Sequence, residues 1–243
     1  MTLRLVSAGF TDVGAQRTHN EDAILLDPQY GLYVICDGMG GHASGAVASQ
    51  TAVAAISEVA HTGLPPTPPG EEPLVNAILY ANAQVFARGQ SDPDCRGMGT
   101  TVVAVRQQDS ALHLCHVGDS RCYMLRGEVL AQITRDHSLI NLYADNPDLA
   151  GKLGPAHSNI IVRAVGLHEY VEVDHQIVGM TPGDVFLLCC DGLTDMVPDE
   201  VIRQIVLADV GDLPLAGTKL IAAANAAGGA DNVSVILLRA VAP

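Results

Sequence analysis

Tyr33–His42, YVICDGMGGH, runs apolar as far as Cys36 and then stops at an aspartate followed by glycines. Phe186–Asp195, FLLCCDGLTD, repeats the arrangement: a second apolar run ends in Cys-Asp-Gly. Each run reads as a strand with an acid at its end. Working outward, residues 3–36 read as strands joined by turns, with LYVIC the clearest. Residues 43–60 predict a helix whose small-residue face carries Ala46, Ser49, Val53, Ile56 and Ala60. The segment TGLPPTPPGEEP cannot be a regular element. Its PxxP spacings, Pro65 with Pro68 and Pro66 with Pro69, fit either a loop between helices or a peptide-recognition ligand. A second helix follows, with Leu74, Ile78, Ala81 and Val85 on one stripe.

Between Thr100 and Ile133 the pattern predicts three or four short strands, TTVVAV and ALHLCHV among them. Residues 138–158 are polar and broken by Gly151, Gly154 and Pro155. Strands resume at NIIVRAV, at VEVDHQIV with Val171, Val173 and Ile177 on one face, and at VFLLCC. A helix is expected to start at Pro198, with Asp199 and Glu200 at its positive end. Another runs through Leu213, Ala216, Leu220 and Ala223 and stops near Gly228 and Gly229, before the final strand NVSVILLRAV. Two helices follow one another, twice, between runs of strands. A doubly wound parallel sheet alternates strand and helix singly. The order here fits antiparallel sheets with paired helices laid over them. No repeat or linker divides the 243 residues, so one domain is expected.

Composition narrows the function. Thirteen basic against 27 acidic residues give a net charge of −14. Clustered Lys and Arg, which a nucleic-acid binder needs, are missing, and anionic lipid would repel this surface. The N-terminal MTLRLVSAGFTDVG lacks the pattern of a signal peptide, and ASGAVASQTAVAAISEVA is too polar to span a bilayer. Of the six cysteines, five lie in or beside strand-like runs and no C-x-x-C occurs. That pattern favours reduced, buried thiols in a cytoplasm.

Four aspartates sit at strand ends beside Gly, Ser or Asn: Asp37, Asp119 and Asp191 close strands, and Asp231 opens one. Asp-Gly is a common turn dipeptide, so each alone reads as a turn former before a ligand. Gathered together, the four would repel one another by several kcal/mol per pair at about 4 Å and protein-like dielectric. Divalent cations remove that cost, and an all-oxygen set points to Mg²⁺ or Mn²⁺. Gly38, without a Cβ, lets its carbonyl approach an ion. Early in the chain, GAQRTHNEDAI carries Arg17, Glu21 and Asp22. The cluster is either a solvated turn or a guanidinium fork matched to phosphate oxygens, with acids placed to hold metal-bound water.

The motifs RTHNED, VICDGMGGHASG, GMGTT, HVGDSR, TRDHS, IIVRAVG, CCDGLTD and DNVSVI occur in that order from about Gly9 to the last strand. Together they resemble the metal-dependent serine/threonine protein phosphatases, the type 2C or PPM family, and its compact bacterial members above all. The resemblance implies a four-layer α-β-β-α sandwich, α+β in class, with two antiparallel sheets flanked by paired helices. It also implies one phosphatase domain over residues 1–243, with a flap-like insertion at about 138–166 that is shorter than usual.

The same resemblance implies a binuclear Mn²⁺ or Mg²⁺ centre. Asp37 would bridge the ions, Asp191 and Asp231 would complete the first, and the Gly38 carbonyl and Glu21 would hold the second. Asp22 would orient metal water, and Asp119 with Asp191 matches the third, weaker ion of bacterial members. Arg17 would clamp the phosphate, a bridging hydroxide would attack in line, and His42 would protonate the leaving oxygen. A cysteine nucleophile is excluded: six residues past Cys36 stands His42, and six past Cys190 stands Met196, so neither begins a Cys-x₅-Arg cradle. The implied substrates are phosphoserine and phosphothreonine proteins, among them a serine/threonine kinase and its targets, met by a cytoplasmic monomer. The rival readings are a catalytically silent pseudophosphatase that docks partners and a phosphatase of a small phosphorylated metabolite.

Overall fold

The computed structural model describes residues 3–40, 44–144 and 160–242. The first sheet takes β1 (Arg4–Asp12), β11 (Val233–Val241), β10 (Val185–Cys189), β7 (Arg121–Arg126) and β8 (Val129–Gln132), in that spatial order. The second takes β2 (Asp22–Asp27), β3 (Leu32–Met39), β5 (Val102–Gln108), β6 (Ala111–Val117) and β9 (Asp174–Gly179). A two-residue β4 (Gly99–Thr100) pairs with the end of β3. Every pairing is antiparallel.

Helices α1 (Ser44–Thr62) and α2 (Pro73–Ser91) cover the second sheet, and α5 (Asp199–Ala208) and α6 (Leu213–Ala226) cover the first. Two short helices, α3 (Leu139–Ala144) and α4 (Asp191–Thr194), lie at loop positions. The layer order is therefore helix, sheet, sheet, helix, as the family resemblance implies.

The central strands show why the apolar runs do not alternate with polar residues. Successive side chains of a strand point to opposite faces. In β3, Leu32, Val34 and Cys36 pack under α1 and α2, whereas Tyr33 and Ile35 meet the other sheet. In β10, Val185, Leu187 and Cys189 face α5 and α6, and Phe186 and Leu188 face inward. Both faces are dry, so both parities are apolar, and burying one such large side chain contributes about 1.5–3 kcal/mol. All six cysteines are buried and free.

Several expectations shift. The segment NIIVRAV does not form a strand: the backbone of its described part, 160–165, makes isolated bridges in place of a ladder, Ile161 to Ser138 and Val165 to Thr100. Ile160 and Val162 stay exposed there, and Arg163 fixes the segment through its side chain, bonding Asp174 and Glu172. The buried face of α1 is Ser44, Gly45, Ala48, Ser49, Ala52, Ala55, Ile56 and Val59. Ser49 and Ile56 of the expected stripe lie on it, while Ala46, Val53 and Ala60 are half-buried at its edge, because the helix packs on β3 and α2 together. Pro198 is the residue before α5 and not its first turn, at φ −61° and ψ 146°. Asp37 lies inside β3, which runs two residues further. Val171 and Val173 come before β9 but still pack against the helix-side core.

Candidate active site

The acids come to one end of the sandwich from both sheets. Asp22 opens β2 and Asp37 is its register partner on β3, so both carboxylates leave the same face of the second sheet. The first sheet supplies Asp191, which follows β10 at the start of α4, and Asp231, which precedes β11. Gly192 makes their approach possible: a Cβ there would overlap the Asn232 carbonyl oxygen.

Hydrogen bonds to backbone and hydroxyl groups hold Asp37, Asp231 and Asp22 in place. Asp37 donates its N–H to Thr101 Oγ1 at 3.0 Å, and its carbonyl accepts the Thr101 N–H at 2.8 Å and the Thr100 hydroxyl at 2.8 Å. Asp231 caps the Asn232 N–H at 2.8 Å. The Ser234 hydroxyl donates to Asp22 Oδ2 at 2.6 Å. Asn232 stitches the 13–21 loop to this end: its amide donates to the Val13 and His19 carbonyls, and its Oδ1 accepts the Glu21 N–H at 2.7 Å.

The electrostatics are unfavourable as they stand. Burial, followed by the charges of Asp22 and Asp191, holds the Asp37 carboxyl well above the usual carboxylate range. Asp22 and Asp191 are raised as well, burial being the largest cause for both. Asp22 Oδ1 is buried with no hydrogen-bond partner. Ligand atoms of Asp22, Asp37 and Cys190 lie within 4.8 Å of one another. Cys190 is a thiol and no ligand: burial drives its acidity far down, its Sγ–H donates to the Asn232 carbonyl, and its sulfur accepts the Ser234 N–H. The remaining donors are carboxylate and carbonyl oxygens, which is the chemistry of a hard divalent ion.

Glycines shape a second half of the site. A Cβ at Gly45, on α1, would lie 2.6 Å from Glu21 Oε2 and 2.7 Å from the Gly38 carbonyl oxygen, so these two oxygens converge on one point. A Cβ at Gly38 would overlap the Gly45 and Glu21 carbonyl oxygens, so no other residue fits there. Ser49 on α1 donates to the Glu21 carbonyl at 2.6 Å and fixes that turn.

Arg17 reaches the site from the rim. It is half exposed, and its Nη2 donates to Asp231 Oδ2 at 2.7 Å. Asp119 stands past β6; burial, then the Asp191 charge, pushes its carboxyl up to about 7. Asp119 and Asp191 line a cavity of about 460 Å³, which Arg121 and Arg135 flank on one side and Ile140 and Asn141, from the start of the 138–166 segment, on another. His42 lies outside the described residues, as do residues 145–159 of that segment. Asn232, Ser234 and Thr101 were not singled out from sequence, and Ser49 reads there only as part of the small-residue face of α1. Only the DNVSVI and GMGTT motifs contain a trace of the first three, as polar residues next to buried strand positions.

A family model described as "Protein phosphatase 2C" matches residues 14–210. The chain belongs to this family. Among its relatives, the serine/threonine phosphatase stp of Listeria innocua is 36% identical over 94% of this chain and 93% of its own length. The serine/threonine protein phosphatase PstP of Mycobacterium tuberculosis is 37% identical over 98% of this chain, which spans 45% of that longer protein. The crystal structure of the PstP catalytic domain in complex with two manganese ions superimposes with a TM-score of 0.86, at 35% identity over 99% of this chain and all of that one. Membership accounts for the sandwich, and the solved relative carries two ions of the hard class that the oxygen donors here suit.

Proposed function

We propose that this chain is a Mn²⁺- or Mg²⁺-dependent phosphatase that removes phosphate from phosphoserine and phosphothreonine in proteins. The observation that carries the reading is the set of buried acids from two sheets, with an orphaned Asp22 oxygen among them and acidic groups as the main charges acting on Asp37. Divalent cations relieve the repulsion within such a cluster.

In this reading Asp37 would be shared between two ions, Asp191 and Asp231 would help hold one, and the Gly38 carbonyl with Glu21 would help hold the other. When bound, the ions supply an activated water near neutral pH and counter-charge for the phosphoryl group. Asp22, held by Ser234, orients that water. Arg17 swings from Asp231 to the phosphate, where its planar fork pairs two oxygens. The leaving alkoxide needs a proton, and His42 is the proposed donor. Asp119 faces the cavity beside Asp191, where a third ion and the substrate chain would meet. The described start of the 138–166 flap walls that cavity through Ser138, Ile140 and Asn141, and residues 1–243 act as one domain.

The phosphoproteins are proposed to be a serine/threonine kinase and its targets, met by a monomer in the cytoplasm. Among the described residues no helix is long and apolar enough to cross a membrane. The test is hydrolysis of p-nitrophenyl phosphate with Mn²⁺, followed by a panel of phosphopeptides against phosphorylated metabolites. Turnover that chelator abolishes, and that favours phosphopeptides, is expected. Mn²⁺-replete protein without turnover would overturn the reading, and preference for metabolites would overturn its substrate.

A further inference from the structure

A second group of metal-type donors stands well away from the acid cluster. We propose that Glu72, His113 and His175 form a separate cation site that takes a borderline divalent transition ion of the zinc class. His113 lies on β6, six residues before Asp119, so about 20 Å of strand separates the two places. Glu72 is the residue capping the start of α2, and His175 lies on the edge strand β9. Three elements distant in sequence thus send donors to one spot, and the donor atoms all lie within 4.8 Å of one another.

The closest pair carries the argument. Glu72 Oε2 stands 2.8 Å from His113 Nδ1, the distance of a hydrogen bond. Yet that nitrogen is buried without a hydrogen-bond partner, because the carboxylate approaches off the direction of the ring N–H. Close and misaligned is the arrangement of two ligands waiting for a shared ion. The other Glu72 oxygen accepts the Leu74 N–H and pins the side chain in place. The His175 ring lies over that of His113, centroids 5.5 Å apart and planes 13° from parallel. Rotation of the exposed His175 ring out of the stack would bring three donors to the spacing of about 3.4 Å set by zinc–ligand bonds in a tetrahedron. His113 and Glu72 are 13% and 15% exposed, whereas His175 faces solvent, so the ion has an entry path and water takes the fourth position.

Two imidazoles and one carboxylate select against Mg²⁺ and Mn²⁺ and favour zinc, nickel or copper. A second histidine group, His116, His137 and Asp174, does not compete. Arg163 Nη1 already sits 2.5 Å from Asp174 Oδ1 and 3.0 Å from His137 Nε2, so a cation charge is in place there. An ion at the first group ties the start of α2 to the sheet edge through β6 and β9.

The experiment strips the whole chain with chelator, returns it to excess Mg²⁺ to fill the hard-oxygen site, and titrates Zn²⁺ by calorimetry. One bound equivalent and a raised melting temperature are expected in the parent chain. His175→Gln, at an exposed position, should lose that equivalent or bind it at least about tenfold more weakly, as should His113→Gln. Both variants should keep Mg²⁺-supported turnover. No equivalent in the parent chain, or equal zinc affinity in His175→Gln, overturns the proposal.

Discussion

Asp37→Asn should make the ion-free protein more stable while destroying its activity. Asp37 stands with its carboxylate within 4.8 Å of that of Asp22. Two like charges at that spacing cost about 3.5 kcal/mol at an effective dielectric of about 20. Protonation of the raised carboxyls relieves part of this, so a gain of about 2 kcal/mol is expected from neutralising one of them. Asn is isosteric, and the hydrogen bonds of Asp37 to Thr100 and Thr101 use its backbone, so they survive. Added Mn²⁺ reverses the order: at a hundredfold excess over its dissociation constant it stabilises the parent chain by about 2.7 kcal/mol and the variant hardly at all. The assay is urea denaturation followed by circular dichroism, in chelator and in Mn²⁺, with the slopes compared to confirm an unchanged denatured state. A variant less stable than the parent in chelator would refute the claim that repulsion dominates this site.

Other outcomes follow from the same geometry. Arg17→Ala removes a half-exposed ion pair, so stability should change by less than about 1 kcal/mol while KM rises severalfold; a fall in kcat at constant KM would contradict the clamp. Gly38→Ala forces a methyl group onto two backbone oxygens and should destabilise by at least about 1–3 kcal/mol, measured by denaturation, with loss of Mn²⁺ binding by calorimetry. His137 is held down to about 4 by burial, with His116 and Arg163 adding. Its unfolded form titrates near 6.5, so the unfolded chain binds more protons between those values. The stability this contributes is full above about 6.5 and lost as pH falls toward about 4. His137→Asn keeps an acceptor for the Gly118 N–H, now bonded to Nδ1 at 3.0 Å, and should flatten the stability profile across that window.

The layered fold was legible because its signal is local. Paired helical stripes between strand runs exclude alternation of strand and helix, and LYVIC and VFLLC became β3 and β10 because runs apolar at both parities suit strands buried on both faces. NIIVRAV misled for the opposite reason: its β-branched composition is real, but Ile160 and Val162 face outward and side chains of Arg163, not a ladder, hold it. Asp37, Asp191, Asp119 and Asp231 could be picked out because acids beside Gly, Ser or Asn at the ends of apolar runs are conspicuous. Asn232 and Ser234 could not, since a side chain that bonds a loop more than 200 positions away leaves no mark in its own neighbourhood. The Glu72, His113 and His175 group was invisible for the same reason.

The reactive end draws Asp22 and Asp37 from one sheet and Asp191 and Asp231 from the other. Any ion seated among them therefore works as a rivet between two slabs that otherwise meet through a greasy, directionless interior and a few hydrogen bonds such as Ser234 to Asp22. Amide exchange at the nearby ends of β2, β3, β10 and β11 should slow together when manganese arrives, while the opposite rim keeps its ion-free rate. On the proposed reading, reactivity and the mechanical coupling of the slabs are set by the same few oxygens.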